Sequence, residues 1–225
     1  MTVLNCVADV TSYDSKADYW DSFYLKVNSE NMPEIQGPSQ FAAFTLTEIQ
    51  LLNITHLYEF AAGNGRDSIF FSQCNINVIA TDKSDKAVSI IQRKNTNKFL
   101  KSEVHDIVRN SYSRKVFNDR SNIAVYARFF VHTLSENELF LFFRNLALMC
   151  LGGDRVFLEY RNNLDTLNHK VAPPHLRFFH KSSYVRSIAK KNGFEQSYEC
   201  QGFGLAKFGV EDPNITRQIF SYSGV

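Results

Sequence analysis

An acid, a pair of near-adjacent glycines and a second acid are the residues of this chain best suited to ligand chemistry. Glu59 is followed by Gly63 and Gly65, then by Arg66, Asp67 and Ser68, and the apolar run Asn77-Val78-Ile79-Ala80-Thr81 ends on Asp82. Glycine lets the backbone turn sharply and approach a ligand where a side chain would intrude. An acid at the tip of the next strand can accept both hydroxyls of a ribose. The pattern therefore predicts a nucleoside site at the carboxyl ends of parallel strands. Asp82 is also placed to cap a helix opening near Ser84, and the two roles can coexist.

The loop discriminates between nucleosides. A dinucleotide loop needs a third glycine for close packing of helix on strand, and Ser68 stands at that position. Glu59 would repel a pyrophosphate but attract an ammonium or a sulfonium. A second group of reactive types follows later strands. Tyr126, Arg128 and His132 lie among large aromatics, and Arg161, Asp165, Asn168, His169, His175, Arg177, His180 and Lys181 follow the next apolar run. An arginine inside an apolar run is costly unless it meets a partner or ligand. This density of histidine and arginine points to an anionic acceptor such as a phosphate or carboxylate. A structural salt bridge for Arg128 and a buried hydrogen-bonded histidine for His132 are the competing readings. His, Asp and Asn also suit a metal, but no His-x-x-x-His or cysteine pair supports one, and none is expected.

The elements that would position these residues alternate strand and helix beyond Ser39, which is the pattern of a mostly parallel sheet with helices on both faces. Strands are expected at His56 to Ala61, Asn77 to Thr81, Glu103 to Ile107, Ile123 to Phe130, Arg155 to Tyr160, Phe194 to Gln201 and Ile215 to Tyr222. Helices are expected at Arg66 to Gln73, from Ser84 to about Phe99, at Ser135 to Cys150 with a capping box, and at Ser182 to Asn192.

Composition narrows the class. The 225 residues suit one α/β domain, and a net charge of +2 is too small for a dedicated nucleic-acid binder. Cys6, Cys74, Cys150 and Cys200 have neither zinc nor redox spacing, so free thiols in a reducing cytoplasm are expected. No apolar run approaches a membrane span, and residues 1–20 lack a signal-peptide core.

Glu59-Phe60-Ala61-Ala62-Gly63-Asn64-Gly65-Arg66-Asp67 resembles motif I of class I S-adenosylmethionine-dependent methyltransferases. With Asp82, Arg128-Phe129-Phe130-Val131-His132 and the Gly152-Gly153 turn, the resemblance covers most of the chain after Ser39. It implies a Rossmann-like, seven-stranded, mostly parallel sheet sandwiched by helices, closed by an antiparallel hairpin. Residues 41–225 would form this domain, and residues 1–40 an N-terminal helical lid. It further implies that Glu59, Gly63 and Gly65 hold the methionine part of S-adenosylmethionine, Asp82 the ribose and Asp106 the adenine. Ser39, Arg66, Lys83 and Tyr126 are further donor-binding candidates, and Tyr19 and Trp20 would cover the sulfonium through cation–π attraction.

Tyr19-Trp20-Asp21-Ser22-Phe23-Tyr24 and Pro38-Ser39-Gln40-Phe41 also resemble the start of methyltransferases of bacterial surface-polysaccharide clusters. That likeness implies a small-molecule or glycan-terminal acceptor. A phosphate or carboxylate would be bound by Arg128, Arg161, His175 and Arg177, while a neutral sugar hydroxyl would need His132 or His175 as base. A catalytically silent methyltransferase-like binding module and a nucleotide-dependent oxidoreductase are the alternatives. The sequence does not indicate an oligomeric state.

Overall fold

The computed structural model describes residues 19–22, 24–25, 37–114, 122–165 and 177–224. Seven strands form one sheet in the order β3-β2-β1-β4-β5-β7-β6. They are β1 (His56–Phe60), β2 (Asn77–Asp82), β3 (Leu100–Val104), β4 (Ile123–Arg128), β5 (Arg155–Arg161), β6 (Phe194–Gly202) and β7 (Ile215–Tyr222). The first five pair in parallel, and β7 runs antiparallel to both β5 and β6. Among the described residues, the helices flanking the sheet are α1 (Gln40–Leu51), α2 (Arg66–Gln73), α3 (Asp85–Lys94), α4 (Glu136–Ala147) and α5 (Ser182–Lys191). This is the expected Rossmann-like architecture with its closing antiparallel pair.

The central strands are apolar on both faces because helices cover both. Leu57, Val78, Ala80, Ala124, Tyr126 and Phe157 point to one side, where they pack with Phe41 and Ile49 of α1, Phe71 of α2 and Ile91 of α3. Tyr58, Ile79, Val125, Val156 and Leu158 point to the other, against Phe142, Phe143 and Leu146 of α4 and Val185 of α5. Phe143 joins helix to sheet through edge-on contacts with Phe220 and a tilted contact with Phe194. Each such buried aromatic contributes about 1.5–3 kcal/mol by leaving water.

Local chemistry sets the ends. Ser84 caps α3, its Oγ accepting the Ala87 N–H. Ser135 and Glu138 form the capping box of α4. Two expectations shift. α3 stops at Lys94 rather than near Phe99, and β3 occupies Leu100–Val104 rather than 103–107. Asparagine is responsible: Asn95 turns extended, its amide donates to the Leu100 carbonyl, and Asn97 donates to the Ser72 carbonyl. Side chains that satisfy the backbone in this way end a helix. α1 adds a helix between Ser39 and β1 that the strand-helix alternation did not resolve. Ser39 is its cap, accepting the Ala42 N–H.

Candidate active site

The parallel strands open a crevice where the strand order reverses, between β1 and β4. Ligands of open α/β sheets bind in such crevices, at the carboxyl ends of strands. The loop leaving β1 is left-handed at Ala61 (φ 56°), Gly63 (φ 58°) and Gly65 (φ 76°). Gly65 also needs its bare Cα, since a Cβ there would lie 2.6 Å from Ile91 Cγ1 of α3. A Cβ at Gly63 would lie 2.6 Å from the Tyr24 hydroxyl, so residue 24 already rests on the loop.

The Gly63 N–H donates to Asp82 Oδ2 and the Ser84 N–H to Asp82 Oδ1, each at 2.9 Å. These two bonds clamp the tips of β1 and β2 together and leave each carboxylate oxygen a second acceptor direction. Burial raises the Asp82 carboxyl above its usual range, and the two amides partly offset that. The Ser84 hydroxyl donates to Asp21, tying the helical residues 19–22 to the top of α3.

A cavity of about 240 Å³ lies beside this clamp. It brings together Trp20, Asp82, Lys83, Asp106 and Arg128, all sequence-predicted candidates, with Tyr24, Ala61, Ile107, Val108, Phe129 and Phe130. Asp106 lies just beyond β3, and its Oδ1 accepts the Val108 N–H at 3.0 Å.

Glu59, Asp67, Ser39 and Tyr126 sit beneath the loop instead. Asp67 accepts the Ser39 N–H (2.8 Å), the Ser39 hydroxyl (2.7 Å), the Tyr126 hydroxyl (2.8 Å) and Arg66 Nε (3.2 Å). Burial works against the Asp67 charge, but Arg66, Arg128 and the Ser39 donors outweigh it and hold the carboxyl below its usual range. Among the described residues, the side-chain donor to Glu59 is the Ser68 hydroxyl. Burial first, then the charge of Asp67, push its carboxyl well above the ordinary value. Of this buried pair, Glu59 is therefore the one that holds its proton more tightly. Ser68, where a dinucleotide loop would carry glycine, is the residue that holds it.

Across the crevice the partners are charged. Glu159 of β5 accepts Arg128 Nε through one oxygen and Arg217 Nε through the other, both at 2.8 Å. Arg128, Glu159 and Arg217 stand in register on β4, β5 and β7. Arg128 thus forms the salt bridge and also lines the cavity. Its guanidinium lies 4.1 Å from the centre of the Phe129 ring, with Arg161 at 5.8 Å from the same ring. Phe129 is left-handed as well (φ 56°). Residues held in that region cluster where a site needs an unusual backbone path. Arg161 donates to Asp165 at 2.8 Å and also to Glu211.

His132 is buried, and its Nδ1 accepts the Arg161 N–H at 3.3 Å, which leaves the ring proton on Nε2. His180 is buried with Nε2 donating to the Leu134 carbonyl at 2.8 Å. Arg177 is partly exposed, but its Nε is buried without a hydrogen-bond partner. Burial, and the nearby Arg161 charge, bring its pKa down to about 10. Tyr19 is near enough to feel the Arg177 charge. Asn168, His169 and His175, and most of residues 1–40, lie outside the described residues. Among the described residues no three His, Cys, Asp or Glu side chains gather as a metal cluster, and no helix is long and apolar enough to cross a membrane.

The residues that sequence reasoning missed are partners: Asp67, Glu159, Glu211 and Arg217, with Tyr24 against the glycine loop. Arg217 lies in the final strand with no motif around it. Glu159 reads as an ordinary strand residue until β4 and β7 are laid beside it.

No protein-family profile matches the sequence, and no curated protein matches it. Solved structures do. A SAM-dependent methyltransferase from Anabaena variabilis ATCC 29413 superposes with a TM-score of 0.73 at 17% identity, over 92% of this chain and 95% of that one. Magnesium protoporphyrin IX methyltransferase (ChlM) from Synechocystis PCC 6803 with bound SAH gives 0.69 at 16%, over 94% and 100%. The CcbJ methyltransferase from Streptomyces caelestis gives 0.66 at 14%, over 92% and 98%. The chain has the class I methyltransferase fold.

Proposed function

We propose that this protein is an S-adenosylmethionine-dependent methyltransferase of the cytoplasm acting on a small or terminal polar acceptor. The observation that carries the reading is the Asp82 clamp at the mouth of the crevice. One buried carboxylate closes the glycine loop through Gly63, anchors α3 through Ser84, and still presents acceptor directions toward a ribose. The cavity residues fit such a ligand: apolar Ile107, Val108 and Phe129 suit an adenine, Asp106 its amino group, and Trp20 and Tyr24 a cation from above. S-Adenosylmethionine would supply a methyl group on a positively charged sulfur.

The chain's own contribution is to hold donor and acceptor in line and exclude water. Asp82 and the loop fix the nucleoside, Trp20 and Tyr24 form the roof, and the arginine-rich edge beyond β4 and β5 orients the acceptor. The likeness of residues 19–24 and 38–41 to enzymes of surface-polysaccharide clusters favours a glycan-terminal or similar small anionic acceptor. Isothermal calorimetry tests donor binding. S-Adenosylhomocysteine should bind the wild-type protein and bind Asp82→Ala at least about tenfold more weakly, a loss of about 1.4 kcal/mol. NAD should give no heat. Binding of NAD in preference to the homocysteine product would favour an oxidoreductase instead.

A further inference from the structure

Residues 19–22 and 24 lie against the crevice and touch its fixed parts. Tyr24 rests on Gly63, Asp21 accepts the Ser84 hydroxyl, and Trp20 and Tyr24 line the same cavity as Asp82. Trp20 stacks on Tyr24 with ring centres 6.2 Å apart and meets Tyr19 edge-on at 5.1 Å. Among the described residues of this segment, Asp21 carries the only charge. Ser84 brings that charge to the cavity's edge, because its N–H donates to Asp82 and its hydroxyl to Asp21. Burial first, and then the Asp21 charge, raise the Asp82 carboxyl. Two carboxylates drawn together repel unless a positive charge lies beside them. The segment therefore seats on Ser84 at an electrostatic cost that a cation in the cavity offsets.

We propose that Asp21 is a specificity-determining residue for the methyl donor: seated on Ser84 beside Asp82, it makes its segment cover a cationic ligand in preference to a neutral one. The inference rests on the methyltransferase reading above and deepens it. S-Adenosylmethionine carries a sulfonium where S-adenosylhomocysteine has a neutral thioether. In the reaction the acceptor atom forms the new bond to the methyl carbon, the carbon–sulfur bond breaks, and its electron pair stays on sulfur. The positive charge leaves with the methyl group, cancelled on an anionic acceptor or shed as a proton from a neutral one. Asp21 and Asp82 then repel again, and Trp20 and Tyr24 lose the cation that their faces favour. The segment is released when the product has to leave. Lys83, Asp106, Arg128 and Glu138, the other charged residues of the cavity wall, are carried by strand ends and by α4. The charge that travels with the segment is that of Asp21.

The test compares S-adenosylmethionine, S-adenosylhomocysteine and sinefungin on the full chain; in sinefungin an amine-bearing carbon keeps a positive charge in place of the sulfonium. Dissociation constants are measured by isothermal calorimetry near neutral pH. Seating of the segment is followed by acrylamide quenching of Trp20, the single tryptophan of the chain. Asp21→Asn keeps an acceptor for the Ser84 hydroxyl but removes the charge. It should weaken S-adenosylmethionine and sinefungin at least about fivefold and S-adenosylhomocysteine less than about twofold. In the wild-type protein the two cationic ligands should shield Trp20 more than S-adenosylhomocysteine does, and Asp21→Asn should erase that difference. Asp21→Glu, which restores the charge, should retain most of both preferences. Equal weakening of all three ligands by Asp21→Asn would reduce Asp21 to a structural latch and overturn the proposal. So would unchanged affinities, or equal shielding of Trp20 by the three ligands in the wild-type protein. If none of the three binds, the methyltransferase reading falls and the proposal with it. If they bind without this discrimination, the proposal alone falls.

Discussion

The two sides of the crevice hold buried acids by opposite means. On the β1–β2 side, Asp82 is held by backbone amides, Glu59 by a serine hydroxyl, and Asp67 by hydroxyls, an amide and Arg66. On the β4–β5–β7 side, Glu159, Asp165 and Glu211 are held by arginines. The neutral donors that hold Asp82 and Glu59 stabilise a carboxylate without leaving a charge behind when the acid is removed. Arginine partners do leave one. The first side can therefore lose an acid and remain folded, whereas the second is more tightly bound to its own charge balance.

Glu159→Gln should have the largest effect. It strands Arg128 and Arg217 at a buried position and should cost about 3–5 kcal/mol in urea denaturation. A loss under about 1 kcal/mol would mean that water already serves these arginines, and the contrast would collapse. Asp67→Asn comes next, at about 1–3 kcal/mol, because Ser39, Tyr126 and Arg66 lose a shared acceptor. Its folded pKa is depressed, so the stability it contributes is present above the ordinary carboxylate range and is lost as pH falls through the folded value.

Glu59 has the opposite sign. Its folded pKa is raised, so the native state binds the extra proton, and stability falls as pH rises from the ordinary value near 4.5 toward the folded one. Glu59→Gln should flatten that slope, by up to about 1.4 kcal/mol per pH unit, in melting curves recorded across the window. An unchanged slope would show that Glu59 is ionised after all. Ala61→Gly should be smallest and stabilising, by up to about 1 kcal/mol, since it relieves a left-handed alanine at φ 56°. A fall in melting temperature would mean that the surroundings compensate this backbone fully.

The same contrast explains what the sequence made legible. Around the glycine loop the contacts are short-range, with Ser84 to Asp82 two residues, Ser68 to Glu59 nine and Gly63 to Asp82 nineteen; those to Asp67 are longer, at 28 residues from Ser39 and 59 from Tyr126. Glycine spacing and cap residues carry that information within a single strand-loop-helix unit. Arg128 to Glu159 spans 31 residues, Arg161 to Glu211 spans 50, and Glu159 to Arg217 spans 58. Such pairs exist only once strand order is known. Arg128 therefore read as either a cleft residue or a salt bridge and is both. Tyr126 read as a ligand contact, but the fold turns its hydroxyl down onto Asp67. The β3 register was misread because Glu103 and His105 alternate like a strand, while the asparagines that set its start are loop residues in any local reading.

The place of β7 has a consequence for how the chain must be made. This strand follows all the others in sequence but inserts between β5 and β6 instead of adding at an edge. A nascent chain that has emerged only as far as β6 has no neighbour on which to lay that strand. Until residue 217 arrives, Glu159 can meet only one of its two arginines. Translation thus supplies the glycine-loop crevice early and completes the charged edge late, so a ribosome stalled before Ile215 would display that crevice without the Arg217 partner of Glu159.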